Sequence, residues 1–335
     1  MNAMVIQFAN QGEVNIVEES LPDLSPDSVL VGIEKSLIST GTEMTCLDRT
    51  FEAGTGWDDW VKYPFRPGYA SVGVVQKAGA AVRRVQEGDR VFLRVNHASH
   101  AVVPELAVLR IPEGVDSESA AWGALAKIVQ NGVRRAEHKL GDIVVVAGLG
   151  PLGQLAVRYV RLLGPWRLIA IDLAPSRLAL AEAGGASCTL CKPVDECIEG
   201  ISELTDGWLG DVAYDVTGSA RVLAQLLSAV RPLGRMVLLG DTGYPSQQGL
   251  SQALVTRGIT LAGAHDSNPA PQASVHTPWS HDRITELFFH YLACGDMRVD
   301  DLISHRFPAT DAPEVYGFLR EHRGDSMGVI LDWPS

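Results

Sequence analysis

Five consecutive β-branched or small apolar residues, Ile143–Ala147, run without a break into Gly148-Leu149-Gly150-Pro151-Leu152-Gly153, and an amphipathic stretch, Gln154–Leu163, follows. A continuous apolar run of this length predicts a strand buried on both faces, and the stretch after it predicts a helix. The three glycines then have separate tasks. Gly148 permits the tight turn, Gly150 lets the backbone approach a pyrophosphate, and Gly153 lets helix and strand pack closely. The helix start offers free N–H groups and the positive end of its dipole to phosphates. A second run, Arg167–Asp172, ends on an acid 19 residues beyond Gly153. At that spacing a carboxylate accepts hydrogen bonds from the adenosine ribose hydroxyls and repels a 2′-phosphate. Residues 143–172 therefore predict a βαβ unit that binds NAD(H) in preference to NADP(H), through Gly148, Gly150, Pro151, Leu152, Gly153 and Asp172. Arg177 lies close by and softens that discrimination. Later strand ends supply the rest of the cofactor wall, with Thr217, Gly240, Asp241 and His265 as candidates, because ligands sit outside the carboxyl ends of such strands.

Strand and helix signals alternate from about residue 120 onward. The strands are Val212–Val216, Arg235–Leu239 and Thr260–Ala264, with helices at Asp116–Arg135 (Ser117 or Ser119 as cap), Pro175–Ala183, Arg221–Val230 and His281–Cys294. Residues 1–110 read differently. Short β-type runs (4–8, 14–18, 28–35, 70–78, 90–95 and 101–103) are separated by turns such as Glu87-Gly88-Asp89, as in a small barrel. The tail, Ile303–Phe307 and Gly328–Leu331, is strand-like and returns to that first domain. The division is 1–119 with 298–335 for the β-rich domain and 120–297 for the dinucleotide domain.

At 335 residues the chain buries a large core without staples. Its formal net charge of −12 repels phosphate backbones, which excludes nucleic acid as a partner. No apolar run reaches the ~18 residues of a membrane span, and the N-terminus lacks a basic region and a long apolar stretch, so the expectation is a cytoplasmic protein with no membrane partner. Five scattered cysteines do not form a secreted disulfide framework. Cys188 and Cys191 form a C-x-x-C, but without a second pair or a nearby histidine they read as small residues lining a buried strand.

The chain resembles the medium-chain dehydrogenase/reductase superfamily, the relatives of zinc alcohol dehydrogenase, over nearly its whole length. Besides the glycine turn, Pro67-Gly68-Tyr69-Ala70-Ser71-Val72-Gly73-Val74-Val75 is similar to the family's Pro-Gly-His-Glu segment. Glu87-Gly88-Asp89-Arg90-Val91 is similar to its Gly-Asp-Arg-Val turn, and Asp215-Val216-Thr217-Gly218 also fits. The resemblance implies an α/β architecture, a GroES-like β-rich barrel plus a Rossmann doubly wound parallel sheet. It also implies a hydride moved between nicotinamide and a secondary alcohol or ketone of polyol or sugar type, and a homodimer paired along Thr260–Ala264. The departures are at the metal. Thr40 of Thr40-Gly41-Thr42-Glu43 stands where the family has its cysteine ligand, Tyr69-Ala70 replace His-Glu, and a further family glutamate aligns with Gly123. Threonine and tyrosine are poor neutral ligands for zinc. The four-cysteine lobe is also missing. The expectation is therefore a branch lacking both zincs, with no metal site.

Without zinc another group must manage the substrate oxygen. By alignment Thr40, Glu43 and Tyr69 ring the old metal pocket, with Tyr69 as donor or acceptor or as a packed aromatic. In His97-Ala98-Ser99-His100, His97 is a proton relay, or joins His100 and Glu43 in a displaced metal site, or is a partly exposed polar residue. Lys127 is a base with a lowered pKa, or a solvated helix lysine. Trp57, Trp60 and Trp279 either line a substrate pocket or pack. Two other functions stay open, an NADPH-dependent enoyl or quinone reductase and a dinucleotide-binding protein without catalysis.

Overall fold

The computed structural model describes residues 1–334. The chain forms two compact units, one of Met1–Ala124 with the stretch from Thr285 onward, the other Leu125–Ile284.

The second unit is built on a parallel sheet of six strands, β8 (Ile143–Ala147), β9 (Arg167–Ile171), β10 (Cys188–Leu190), β11 (Gly210–Asp215), β12 (Val230–Leu238) and β13 (Thr260–Gly263), in the order β10-β9-β8-β11-β12-β13. Numbered from β8, that order is 3-2-1-4-5-6, the doubly wound arrangement with its switch point between β8 and β11. Every residue of β8 is buried, as expected of a strand covered on both faces. Helix Pro151–Arg161 buries Leu155, Ala156, Val157 and Val160. Helix Val194–Leu204 places Val194, Cys197 and Ile201 in a core with Val145, Ile169, Ile171 and Met236. Each such aliphatic side chain contributes about 1.5–3 kcal/mol on burial.

The first unit carries a hairpin of β1 (Asn2–Asn10) and β2 (Glu13–Ser20) and a seven-stranded sheet. The sheet contains β3 (Ser28–Ile38), β4 (Ser71–Ala78), β5 (Arg90–Leu93), β6 (His100–Pro104), β7 (Val108–Arg110) and two strands from the tail, β14 (Ile303–Pro308) and β15 (Gly328–Asp332). β15 pairs antiparallel with β3, Val329 opposite Ile38, so the tail does return. Its core includes Ile6, Phe8, Val31, Ile38, Leu47, Val91, Tyr316 and Trp333.

Several local expectations change. The stretch 116–135 is two helices, Ser117–Ala121 and Gly123–Arg135. The cap of the first is Asp116, whose carboxylate accepts from Ser119 N, and not Ser117 or Ser119; an acid one residue earlier satisfies the free N–H groups. Gly123, which opens the second helix, stands where a Cβ would lie 3.2 Å from the Phe92 ring. Helix 221–230 shortens to Val222–Leu226 and a 3-10 turn. The Cys188/Cys191 reading changes as well, because Cys188 is in β10, whose three residues are only half buried, and Cys191 lies beyond it, exposed. Among helices of nine or more residues, three fall where no helix was expected, Thr40–Asp48, Val194–Leu204 and Ala312–Glu321, and the first and last carry site residues. Among the described residues no helix is long and apolar enough to cross a membrane.

Candidate functional site

In the dinucleotide unit the glycine turn leaves β8 with Gly148 at φ +89°, a left-handed conformation that an L side chain rarely adopts. A Cβ on Gly148 would also press on Thr217, 2.9 Å from its Cγ2. The turn after β8 and the end of β11 therefore approach closely at the switch point. Gly153 faces the carbonyl oxygen of Gly148, and any side chain there would collide with backbone. Gly150 caps helix Pro151–Arg161 and faces open space, with Pro151 and Leu152 in the first turn. Pro151 gives up an N–H that the helix start leaves unpaired in any case. The remaining N–H groups and the dipole make an anion cradle above the turn.

Asp172 stands just past β9 and holds the turn together. Its Oδ2 accepts from Leu149 N at 2.7 Å and its Oδ1 from Ala174 N at 2.9 Å. A carboxylate has about four acceptor sites, so capacity remains for ribose hydroxyls. Arg177 Nη1 lies 3.9 Å away. Thr217 is fixed by Asp215, which accepts from its hydroxyl at 2.7 Å and its N–H at 3.0 Å. Burial raises the Asp215 carboxyl above its ordinary range, while the Thr217 bonds oppose that rise. Gly240, Asp241, Thr242, Ala264, His265 and Asn268 line a cleft of about 410 Å³ at the ends of β12 and β13. All the expected cofactor residues thus lie at the carboxyl side of one sheet.

Lys127 is not a solvated helix lysine. It is 1% exposed, with Nζ 2.7 Å from Asp266 Oδ1 and 2.9 Å from His281 Nδ1. Asp266 and His281 were not foreseen as its partners, since no spacing rule links residues 127, 266 and 281. Trp279 packs between the guanidiniums of Arg134 and Arg283, 3.2 and 4.9 Å from its ring centre.

In the first unit a second assembly forms around Glu43, 2% exposed on helix Thr40–Asp48. Its Oε1 accepts from Ser39 N at 2.8 Å, Tyr316 O–H donates to Oε2, and His97 Nε2 lies 3.2 Å from Oε2. His97, fully buried, has Nδ1 2.8 Å from Ser36 Oγ, and Ser36 Oγ accepts from Trp333 Nε1 at 2.9 Å. The hydrogen bonds close with a proton on His97 Nε2 and the Ser36 hydroxyl donating to Nδ1. Burial, then Glu43, pushes the Tyr316 phenol and the neighbouring Cys46 thiol well up. The partly exposed reading of His97 does not hold, because the ring is fully buried between Ser36 of β3 and Glu43.

Tyr69 begins where this knot ends. Its hydroxyl donates to Ser39 Oγ at 2.6 Å, with Thr42 Oγ1 3.5 Å away, and the Arg94 guanidinium lies 5.4 Å from its ring centre. Burial pushes the phenol up to about 12, so it is a neutral donor at pH 7. Thr40, next to Ser39 in sequence, is buried. His100 does not join His97. It starts β6, its Nδ1 3.1 Å from Ser99 Oγ and its Nε2 3.5 Å from Gln76. Trp57 stacks on Phe51 while Trp60 is half exposed. Sequence reasoning missed Ser36, Ser39, Tyr316 and Trp333. The family's zinc calls for thiolate, imidazole or carboxylate ligands. Thr40, Tyr69 and Gly123 supply no thiolate, imidazole or carboxylate, and among the described residues no three His, Cys, Asp or Glu side chains are placed to hold a metal ion. The residues do not fit the ion.

Comparison with known proteins agrees with this architecture. The family model for the alcohol dehydrogenase GroES-like domain matches residues 25–130, and that for zinc-binding dehydrogenases matches residues 151–274. The chain is 26% identical to the L-threonine 3-dehydrogenase of Anaeromyxobacter sp. (strain K), covering 99% of both chains. Among solved structures, the 2R,3R-butanediol dehydrogenase of Bacillus subtilis superposes with a TM-score of 0.80 at 20% identity, covering 99% of this chain and 100% of that one. A short chain alcohol dehydrogenase of Escherichia coli CFT073, complexed with NADH, gives 0.81 at 18% identity and covers 99% and 100%. The chain belongs to the medium-chain dehydrogenase/reductase superfamily, as an oxidoreductase of the alcohol and polyol dehydrogenase type.

Proposed function

We propose that this protein is an NAD(H)-dependent, zinc-independent oxidoreductase acting on a secondary alcohol or ketone of polyol or sugar type. The observation that carries the choice of cofactor is Asp172. Its carboxylate is pinned by Leu149 and Ala174 N–H beside the glycine turn, where it accepts from ribose hydroxyls and meets a 2′-phosphate with like charge. Zinc independence rests on the donor set, since neither Thr40 nor Tyr69 is a thiolate, imidazole or carboxylate. Bound nicotinamide supplies or accepts the hydride. Gly148, Gly150, Pro151, Leu152 and Gly153 hold the pyrophosphate, and Thr217, Gly240, Asp241 and His265 line the remainder. When substrate binds, the Tyr69 phenol turns its one O–H from Ser39 Oγ to the substrate oxygen in place of the metal, while Glu43, His97 and Thr40 keep Ser39 and Tyr69 in position. A second copy of the chain pairs along β13, the outer strand of its sheet.

The test is kcat/KM with NAD and with NADP over a panel of polyols. The expected result is preference for NAD, with Asp172→Ser narrowing the preference by about ten-fold, the worth of one charge-assisted hydrogen bond. A wild-type preference for NADP contradicts the cofactor assignment.

A further inference from the structure

Oxidation of an alcohol releases a proton as well as a hydride, and a phenol held near 12 is a donor rather than a base at neutral pH. The dinucleotide unit contains a group suited to that proton. Lys127 is buried, on helix Gly123–Arg135, and its ammonium is shared between Asp266 Oδ1 at 2.7 Å and His281 Nδ1 at 2.9 Å. Asp266 follows directly on His265 past the carboxyl end of β13, on the side of the sheet where the ligand of this fold lies. An ammonium has only donors, so His281 Nδ1 must accept, and the ring's own proton is on Nε2. Lys127 is enclosed whereas His281 is only half buried. The imidazole is therefore the outer end of the chain and the lysine its inner end.

We propose that His281 and Lys127 form the proton relay of the hydride transfer, with Asp266 as the residue that positions Lys127. The proposal rests on the oxidoreductase reading above. In the reducing direction the hydride forms a C–H bond at the carbonyl carbon, the C=O π pair moves to oxygen, and that oxygen takes the Nε2 proton of His281. Nδ1 takes a proton from Lys127 in the same event; once the product has left, water returns a proton to Nε2 of the half-buried ring and Nδ1 hands its proton back to the amine. In the oxidising direction each transfer reverses. The alcohol proton goes to Nε2, the Nδ1 proton goes to the amine, and the carbinol hydride leaves with its electron pair. Oxidation thus requires Lys127 as the neutral amine, and its rate rises with pH until the lysine is deprotonated.

The other charged groups on the elements around Lys127 are accounted for. His265 beside Asp266 has Nδ1 2.9 Å from Ser267 Oγ. Asp282 and Arg283 follow His281, and Arg283 Nη1 donates to Pro278 O at 3.2 Å. On the lysine's own helix, Asn131 donates to His265 O at 2.9 Å and Arg134 stacks on Trp279.

The experiment combines two readouts on the full chain. The first needs no turnover. In ¹⁵N NMR of the imidazoles, His281 is expected as the Nε2–H tautomer, and Lys127→Met should convert it to the mixture typical of a free ring. The second is the pH profile of kcat for NAD-linked oxidation. The wild type should rise with unit slope, and Lys127→Met should be flat and about 10²–10⁴-fold slower, the usual worth of general acid–base catalysis. Lys127→Arg keeps the charge but cannot lose the proton, so it should not restore the rate. His281→Gln should behave like Lys127→Met, and retained NADH affinity in each variant shows that the unit is folded. A Lys127→Met enzyme that keeps the wild-type pH profile overturns the relay and leaves the oxidoreductase reading standing. A wild type that oxidises nothing in the panel with either cofactor overturns both.

Discussion

The glycine turn of the dinucleotide unit and the Glu43 knot of the first unit are both built around a carboxylate, yet they use it differently. Asp172 accepts from two N–H groups, Leu149 and Ala174, within a short stretch of chain, and the surface it completes is mostly backbone. Glu43 gathers donors from Ser39, His97 and Tyr316, and through His97 reaches Ser36 and Trp333. Its partners span nearly 300 positions and are side chains in a dry core. A backbone cradle tolerates most side-chain changes and fails when space is filled. A buried side-chain network tolerates changes in volume poorly and fails when one partner is removed.

The sharpest way to break this contrast is to fill the turn. Gly153→Val places a branched side chain against the Gly148 carbonyl, and NADH affinity should fall by about 100-fold or more, at the upper end of what overpacking costs. A fluorescence titration reads it, and a variant that binds NADH normally would show that the turn has room it is not expected to have. Next in size is the knot. Glu43→Ala strips the acceptor from three buried donors and should lower unfolding stability by about 3–5 kcal/mol, whereas Tyr316→Phe removes one donor and should cost about 1–3 kcal/mol. Denaturant unfolding separates the two, and equal, negligible losses would mean that Glu43 is not the organising group. Smallest in stability is Tyr69→Phe, about 1 kcal/mol, the worth of its one hydrogen bond to Ser39 Oγ. Its effect should appear instead as a fall of about ten-fold or more in kcat/KM; unchanged turnover would remove Tyr69 from the chemistry.

The same contrast explains what was legible in the chain. Gly148, Gly150, Gly153 and Asp172 stand at spacings imposed by a strand, a turn and a helix, so their roles could be read in order along thirty residues. The parallel sheet was legible for the same reason, each strand being an unbroken apolar run. Helix Thr40–Asp48 was not. It is short, with Gly41 near its start and polar residues around its surface, and its apolar pattern is weak. Glu43 is legible through the family's metal pocket and His97 through the histidines at 97 and 100, but the bond from Tyr316 to Glu43 depends on a helix near the C-terminus that carries no local signal of a site. Lys127 was singled out without its partners, because Asp266 and His281 meet it only once β13 and the following helix are folded. Function held by backbone is written locally. Function held by side chains across a core is written in pieces that only the fold assembles.

The central claim is a dehydrogenase whose substrate oxygen is handled by protein groups instead of zinc. The most direct measurement is NAD-linked polyol oxidation by protein purified without added metal, together with elemental analysis of the same sample and its response to a strong chelator. The account predicts turnover that is indifferent to chelation, in protein carrying far less than one zinc per chain. Stoichiometric zinc, with activity lost on chelation and restored by zinc alone, would contradict it.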